Sequence, residues 1–107
     1  RIVEAVDALV AAGARFFDVR EPEEHALGLP EGARPLPLST LAAPDAVLPE
    51  PGVPLVLICA RGQRSLRAAL LLRERGFDEV ASVRGGFDAW QVAGLPIAAG
   101  GSSTATP

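Results

Sequence analysis

One stretch decides the fold of this chain: Pro54-Leu55-Val56-Leu57-Ile58-Cys59, continued by Ala60-Arg61-Gly62-Gln63-Arg64-Ser65. Residues 54–58 form an apolar run that is typical of a parallel strand buried on both faces. Residues 65–75 are mostly apolar with interspersed charges, and Gly76 follows them, which predicts a helix with a glycine cap at its C-terminus. Cys59 therefore stands in a short loop between a buried strand and the N-terminus of a helix.

Segments on either side of this unit continue the alternation of helices and strands. Before it, residues 2–12 have apolar side chains at helical spacing, 16–19 form a short aromatic and β-branched run, and Pro22 can open a helical turn through 26. After it, residues 80–83 predict a strand and 87–93 predict a final helix. This alternation predicts an α/β fold whose central sheet is mainly parallel.

The remaining segments are interpreted as turns, loops and a tail. Pro35 and Pro37 limit any strand within 33–38 to a short or edge position. Ser39 and Thr40 are expected to cap a brief turn at 41–43, and the four prolines within 44–54 predict a surface loop. A length of 107 residues with 49% hydrophobic residues favours one domain, over residues 1–98, followed by a flexible Gly-, Ser- and Thr-rich tail at 99–107.

Composition argues against several classes of function. The net charge is −3 and no run of basic residues occurs, so a nucleic-acid partner is not expected. No stretch approaches the roughly 18 apolar residues of a membrane helix, and no signal-peptide pattern is present, so we expect a cytoplasmic protein without a membrane partner. Cys59 and His25 are the single Cys and the single His, so no internal disulfide is possible and a closed four-ligand zinc site cannot form without distant carboxylates; a metal is not expected. We also expect no cofactor.

The surroundings of Cys59 favour its thiolate form. The amide groups of residues 60–64 can converge on the sulfur, because Gly62 can adopt a positive φ there. The N-terminus of the following helix adds its positive dipole end, and Arg61 and Arg64 are close in sequence. Together these features predict that the pKa of Cys59 lies below the usual value of roughly 8.5, as a nucleophile at neutral pH requires.

Cys59 could instead be a small buried residue that simply ends a strand, since free cysteines are among the most buried residues in proteins. The residues that follow it are polar, basic and include a glycine. A cysteine that only fills space would have apolar neighbours, so the pattern favours a reactive thiol.

Four motifs occur in the order and spacing of a known family: Phe17-Asp18-Val19-Arg20-Glu21-Pro22-Glu23-Glu24, Gly32-Ala33 with Pro37-Leu38, the loop from Cys59 to Ser65, and Arg84-Gly85-Gly86-Phe87-Asp88-Ala89-Trp90 with Ala93-Gly94-Leu95-Pro96. Over residues 2–97 the sequence resembles the rhodanese family. The resemblance implies a three-layer α/β sandwich with helices on both faces of the central sheet. It also implies a sulfurtransferase in which the cysteine takes a sulfane sulfur from a small anionic donor such as thiosulfate, holds it as a persulfide, and passes it to cyanide or a thiol, including a protein thiol.

The resemblance also assigns the site residues. Cys59 matches the catalytic position, and the substrate-binding cradle matches Ala60, Arg61, Gly62, Gln63, Arg64 and Ser65. Asp18 and Arg20 are implied to brace the site, whereas the residues alone equally permit a surface ion pair for Arg20. Two departures occur: Ala60 stands where family loops often have Arg, and the common Gly-His-Ile-Pro turn appears as Gly28-Leu29-Pro30-Glu31.

Two other functions stay open from the sequence. One is a phosphatase or arsenate reductase, but related dual-specificity phosphatases place five residues between Cys and Arg, whereas four residues separate Cys59 from Arg64. The other is a non-catalytic rhodanese-like module that relays sulfur or binds a partner within a larger protein.

Outside the loop, His25 is expected to be an ordinary surface or half-buried residue, and Phe87 and Trp90 are expected to anchor the final helix in the core.

Overall fold

The structure is a computed structural model that describes residues 2–43, 45, 48–49 and 52–98. Its elements are, in chain order, α1 (Ile2–Ala11), β1 (Arg15–Asp18), α2 (Pro22–His25), β2 (Leu29–Pro30), β3 (Arg34–Pro35), α3 (Leu38–Leu41), β4 (Leu55–Ile58), α4 (Gln63–Glu74), β5 (Val80–Ser82), α5 (Gly86–Val92) and β6 (Ile97–Ala98). The predicted tail at 99–107, Arg1 and parts of the predicted loop at 44–54 lie outside the described residues.

The central sheet contains four parallel strands in the order β3-β1-β4-β5. β3 lies at the edge, where the missing N–H group of Pro35 interrupts no inner ladder. In the register of the sheet, Asp18 pairs with Ile58 and Ser82 pairs with Leu57. The carboxyl ends of β1, β4 and β5 therefore meet at one edge of the sheet.

Helices cover both faces of this sheet. All four residues of β4 are buried, and they alternate between two core clusters. Leu55 and Leu57 pack on one face with residues of α3 and α4, and Val56 and Ile58 pack on the other face with residues of α1 and α5. This arrangement confirms the predicted three-layer α/β sandwich with a mainly parallel sheet.

The final helix is anchored as predicted. Phe87 and Trp90 of α5 are buried, and the Trp90 ring lies 5.9 Å from the ring of Phe16 on β1. The indole N–H of Trp90 donates to the carbonyl of Pro96 over 2.6 Å, so the polar edge of the ring is also satisfied. None of the helices in the described ranges has the length and apolar character that a membrane span requires.

Several local features differ from the predictions. Ser39 and Thr40 do not cap a turn but lie inside α3, where the Ser39 N–H and hydroxyl groups bond to the carboxylate of Glu21. α4 begins at Gln63 rather than Ser65, because Gly62 adopts a φ of 101° and so ends the loop early. The antiparallel pair of β2 and β6 was not predicted, since two-residue strands carry no readable periodicity.

Candidate active site

Cys59 directly follows the central strand β4, at the edge where three strand ends meet. Its backbone is fixed by the neighbouring helix: the N–H of Phe87 donates to the carbonyl of Cys59 over 2.6 Å, and the N–H of Asp88 donates to the carbonyl of Ala60 over 2.9 Å. Gly86, with a φ of 60°, lies against the same peptide group, and a Cβ at this position would be 2.7 Å from the carbonyl carbon of Ala60. The first turn of α5 therefore holds the start of the loop in place.

The sulfur of Cys59 is surrounded by hydrogen-bonding groups. The N–H of Gly62 donates to Sγ over 3.0 Å, and the Ser65 hydroxyl lies 3.4 Å from Sγ. Gly62 is the N-cap of α4, so the positive end of that helix is directed toward the sulfur. Burial of Cys59 opposes ionisation, but hydrogen bonds from the Ser65 hydroxyl and from the N–H groups of Ser65, Gly62 and Arg61 outweigh it and hold the pKa of the thiol below its ordinary value. The hydrogen bonds to the sulfur therefore account for the predicted lowering of the Cys59 pKa.

Ser65 extends this network to a residue that sequence reasoning did not select. The Ser65 hydroxyl lies 3.2 Å from the carbonyl of Gly62 and 2.5 Å from the hydroxyl of Ser82, at the end of β5. The signal in the sequence was available, because Ser82 is a polar residue at the carboxyl end of a strand beside β4.

Arg64 is held by an ion pair with α2. Its two terminal nitrogens contact the two carboxylate oxygens of Glu24 at 2.7 and 2.9 Å. The hydrogen bond from Arg64 lowers the pKa of Glu24 to about 2, although burial opposes this, and Glu24 in turn raises the pKa of Arg64. Sequence reasoning had placed Arg64 in the substrate cradle and had not selected Glu24.

The other members of the predicted cradle are more open. The Arg61 side chain is 82% exposed, and its Nε lies 3.3 Å from a carboxylate oxygen of Asp88. Gln63 is exposed and Ala60 is half-buried. Residues 60–65 thus form one loop and helix start around Cys59, but only some of them contact the sulfur in the structure.

Asp18 and Arg20 form a buried pair rather than a surface ion pair. Asp18 is 0% and Arg20 5% exposed, and the guanidinium donates to both carboxylate oxygens at 2.8 to 3.1 Å. Arg20 also donates to the carbonyl of Gly28 over 2.7 Å and lies 4.2 Å above the ring centroid of Phe87. The pair therefore joins β1, the turn before β2, and α5, which itself holds the backbone of Cys59.

The prediction of a surface or half-buried His25 is wrong. His25 is 4% exposed, and its Nε2 lies 3.2 Å from the carbonyl oxygen of Asp18 and 3.5 Å from a carboxylate oxygen of the same residue. The acidic neighbours Glu23 and Glu24 in the sequence indicate a helix that is exposed to solvent, and this pattern led to the wrong prediction for His25. One turn of helix nevertheless has an inner face, and His25 occupies it.

A metal site needs several ligating side chains close together. Within residues 2–43, 45, 48–49 and 52–98, no three His, Cys, Asp or Glu side chains come together as a group that could hold a metal ion. The described residues of the site are arranged around the thiol of Cys59, which contacts the N–H of Gly62 and the hydroxyl of Ser65.

Comparison with known proteins gives the family. The model of the rhodanese-like domain matches residues 3–93. A thiosulfate sulfurtransferase GlpE of Actinobacillus pleuropneumoniae is 37% identical over 96 residues, which cover 88% of this chain and 86% of the relative.

Two solved structures show the same architecture. The human single-domain sulfurtransferase TSTD1 has a TM-score of 0.70 and 30% identity, covering 85% of this chain and 92% of its own. A Rhodopseudomonas palustris protein of unknown function, described as a possible tyrosine phosphatase, has a TM-score of 0.74 and 30% identity, covering 90% of this chain and 79% of its own. With the family match extending over residues 3–93 and the four motifs in place, the chain belongs to the rhodanese-like domain family.

Proposed function

We propose that the protein is a sulfurtransferase that carries a sulfane sulfur on Cys59. The donor is a small anion such as thiosulfate, and the acceptor is cyanide or a thiol, including a protein thiol. The observation that supports this most strongly is the placement of Sγ: the Gly62 N–H lies 3.0 Å away at the start of α4, and the pKa of the thiol is lowered. Such a site is suited to a sulfur atom that bears negative charge.

In the first half-reaction the Cys59 thiolate attacks the outer sulfur of thiosulfate. A new bond forms between Sγ and that sulfur, the sulfur–sulfur bond of thiosulfate breaks, and sulfite leaves with the electron pair. Because Cys59 is 0% exposed, the donor reaches Sγ when neighbouring side chains or the loop move aside. The N–H of Gly62 and the helix N-terminus then stabilise the charged persulfide.

In the second half-reaction the acceptor attacks the terminal sulfur of the persulfide. A bond forms between the acceptor and that sulfur, and the bond to Sγ breaks with its electron pair returning to Cys59 as the thiolate. The same donors that lower the pKa of Cys59 also make its thiolate a good leaving group. No cofactor takes part in either half-reaction.

The relatives are consistent with this activity. The Actinobacillus protein, 37% identical, is named a thiosulfate sulfurtransferase, and the human structure is named a single-domain sulfurtransferase. The proposal includes a cytoplasmic location, where a free thiol such as Cys59 stays reduced, and it includes neither a nucleic-acid nor a membrane partner.

Phosphatase activity is the second candidate, because one structural relative is described as a possible tyrosine phosphatase. Two observations argue against it. Four residues separate Cys59 from Arg64, and both terminal nitrogens of Arg64 are engaged by Glu24. An arginine held in this way has fewer donors left for a phosphate group.

Cyanide-dependent thiocyanate formation from thiosulfate tests the proposal. Cys59→Ala should abolish it while thermal unfolding stays cooperative, because the variant removes the nucleophile and little volume. Aryl phosphate hydrolysis should be undetectable with the unmodified chain. Full transfer by Cys59→Ala would remove the thiol from the mechanism, and Cys59-dependent release of phosphate would favour the phosphatase. A folded chain without any transfer to cyanide or a small thiol would favour the non-catalytic module.

A further inference from the structure

The hydroxyl of Ser65 has one proton and more than one group that can accept it. Sγ of Cys59 lies 3.4 Å away, the carbonyl oxygen of Gly62 3.2 Å away, and the hydroxyl of Ser82 2.5 Å away. A serine hydroxyl donates one hydrogen bond at a time. The stabilisation of a thiolate at Cys59 therefore depends on where the Ser65 proton points.

Ser82 differs from the other two neighbours in one chemical respect. A thiolate and a carbonyl oxygen can only accept hydrogen bonds, whereas a hydroxyl can accept or donate. Among the contacts that the structure gives for Ser65, Ser82 is thus the side chain that can donate to Oγ once Cys59 is ionised. A donor at Oγ leaves the Ser65 proton free for the sulfur and makes it a stronger donor, since linked hydrogen bonds reinforce one another.

The position of Ser82 suits this task. Cys59 and Ser65 are both 0% exposed, whereas Ser82 is half-buried and lines a surface groove of about 340 Å³ together with Arg61, Leu66 and Arg84. The register of the sheet fixes Ser82 beside Leu57, two residues before the cysteine. The hydroxyl is therefore held by a strand on one side and can exchange hydrogen bonds with water in the groove on the other.

We propose that Ser82 is a positioning residue, whose hydroxyl donates to Ser65 and so directs the Ser65 proton at the Cys59 sulfur. In the thiol state the S–H group donates to Ser65, which donates onward to Ser82. On ionisation both hydroxyl groups rotate, so that Ser82 donates to Ser65 and Ser65 donates to the thiolate, with no covalent bond formed or broken in either serine. The inference rests on the thiolate role of Cys59 in the proposed function.

The pKa of Cys59 tests the inference without any substrate. The sequence contains one Cys and no Tyr, so the rise of absorbance near 240 nm with pH reports this thiolate without interference from tyrosinate. Ser82→Val and Ser82→Thr form the matched pair, because the two side chains have the same shape and differ in a hydroxyl group. Both are β-branched and suit the strand position.

Ser82→Val should raise the pKa of Cys59 by about half a unit, as expected from losing the reinforcement of one hydrogen bond to a charged group. Ser82→Thr should titrate like the unmodified chain. Ser82→Ala should agree with Ser82→Val and replaces it if the larger side chain prevents folding. Ser65→Ala should raise the pKa further, because it removes the direct donor.

Equal titration curves for Ser82→Thr and Ser82→Val would overturn the inference, because the hydroxyl would then have no effect of its own. An increase in pKa for Ser65→Ala with none for Ser82→Val or Ser82→Ala would also overturn it, since Ser65 would act alone. If the titrations behave as expected but no sulfur is transferred, the inference stands and the proposed function fails.

Discussion

Arg61 and Arg64 lie three residues apart in the same loop region, yet their surroundings differ. The Arg61 side chain is 82% exposed, and its Nε lies 3.3 Å from a carboxylate oxygen of Asp88. Arg64 is 35% exposed and is bonded through two nitrogens to Glu24 on α2. Cys59 and Arg64 also attract each other when both are charged, which contributes to the raised pKa of Arg64. Arg64 is therefore the arginine through which the loop is joined to the rest of the site.

Arg64→Ala is expected to reduce kcat/KM for thiosulfate roughly tenfold, the effect expected from losing a positioned charge and its hydrogen bonds. It should also raise the pKa of Cys59, which a purely structural role would not do, and lower the free energy of unfolding by about 0.5–1 kcal/mol. Steady-state kinetics and the absorbance titration of the thiolate measure the first two effects.

Arg61→Ala is the matched control for this prediction. Because the Arg61 side chain is mostly in solvent, its loss should change kcat/KM about twofold at most through weaker attraction of the anionic donor. Equal losses in the two variants, or a larger loss for Arg61→Ala, would contradict the assignment of Arg64 as the arginine that acts on the sulfur.

The start of α5 fixes the position of the loop that begins at Cys59. Phe87 and Asp88 donate their N–H groups to the carbonyls of Cys59 and Ala60, and Gly86 lies directly against that peptide. This contact requires a residue without a Cβ, because a Cβ at 86 would be 2.7 Å from both the carbonyl carbon and the carbonyl oxygen of Ala60. Backbone atoms cannot turn away as a side chain can, so the loop or the helix would have to shift.

Gly86→Ala should therefore lower the free energy of unfolding by more than about 2 kcal/mol and reduce sulfur transfer, since strain and a backbone clash act together. Gly94→Ala is the control: its φ is also positive, at 70°, but a Cβ there would meet no atom of the described residues within 4 Å. Gly94→Ala should lower the free energy of unfolding by only about 1 kcal/mol, because backbone strain acts alone there. Urea unfolding of both variants measures the difference, and equal losses would contradict the role given to the contact.

Elements with a strong local signal could be predicted from the sequence. The buried strand β4 and the helix α4 were recognised because an apolar run and a helical pattern with a glycine stop are properties of consecutive residues. β2 and β6 could not be recognised, because Leu29–Pro30 and Ile97–Ala98 become strands only by pairing with each other across the folded chain.

The same distinction explains which parts of the site were predicted. Cys59 and the loop after it were evident from a local motif, and the edge position of Asp18 followed from parallel strands. Glu24 lies 40 residues before Arg64, and Ser82 lies 17 residues after Ser65. The place of Ser82 at the end of a strand beside β4 can be read from the sequence. Its contact with Ser65 and that of Glu24 with Arg64 are set by tertiary packing, and no periodicity in the sequence indicates them.

At the scale of the whole molecule, the topology gathers the site from distant parts of the chain. The parallel order β3-β1-β4-β5 brings the ends of β1, β4 and β5 to one edge, where Asp18 ends β1, Cys59 directly follows β4 and Ser82 ends β5. The two core clusters on opposite faces keep these strands in register. A thiol at this edge is therefore positioned by the fold itself as well as by its loop.

The mass of the protein after reaction with thiosulfate tests the central claim, that Cys59 carries the sulfur. Incubation with excess thiosulfate and no acceptor should add the mass of one sulfur atom, confined to the peptide that contains Cys59, because the Gly62 N–H and the start of α4 stabilise the charged persulfide. Cyanide should then remove the added mass and regenerate the free thiol. Continued transfer to cyanide with no adduct, even after rapid quenching, would contradict the account, because sulfur would then pass directly between two bound substrates.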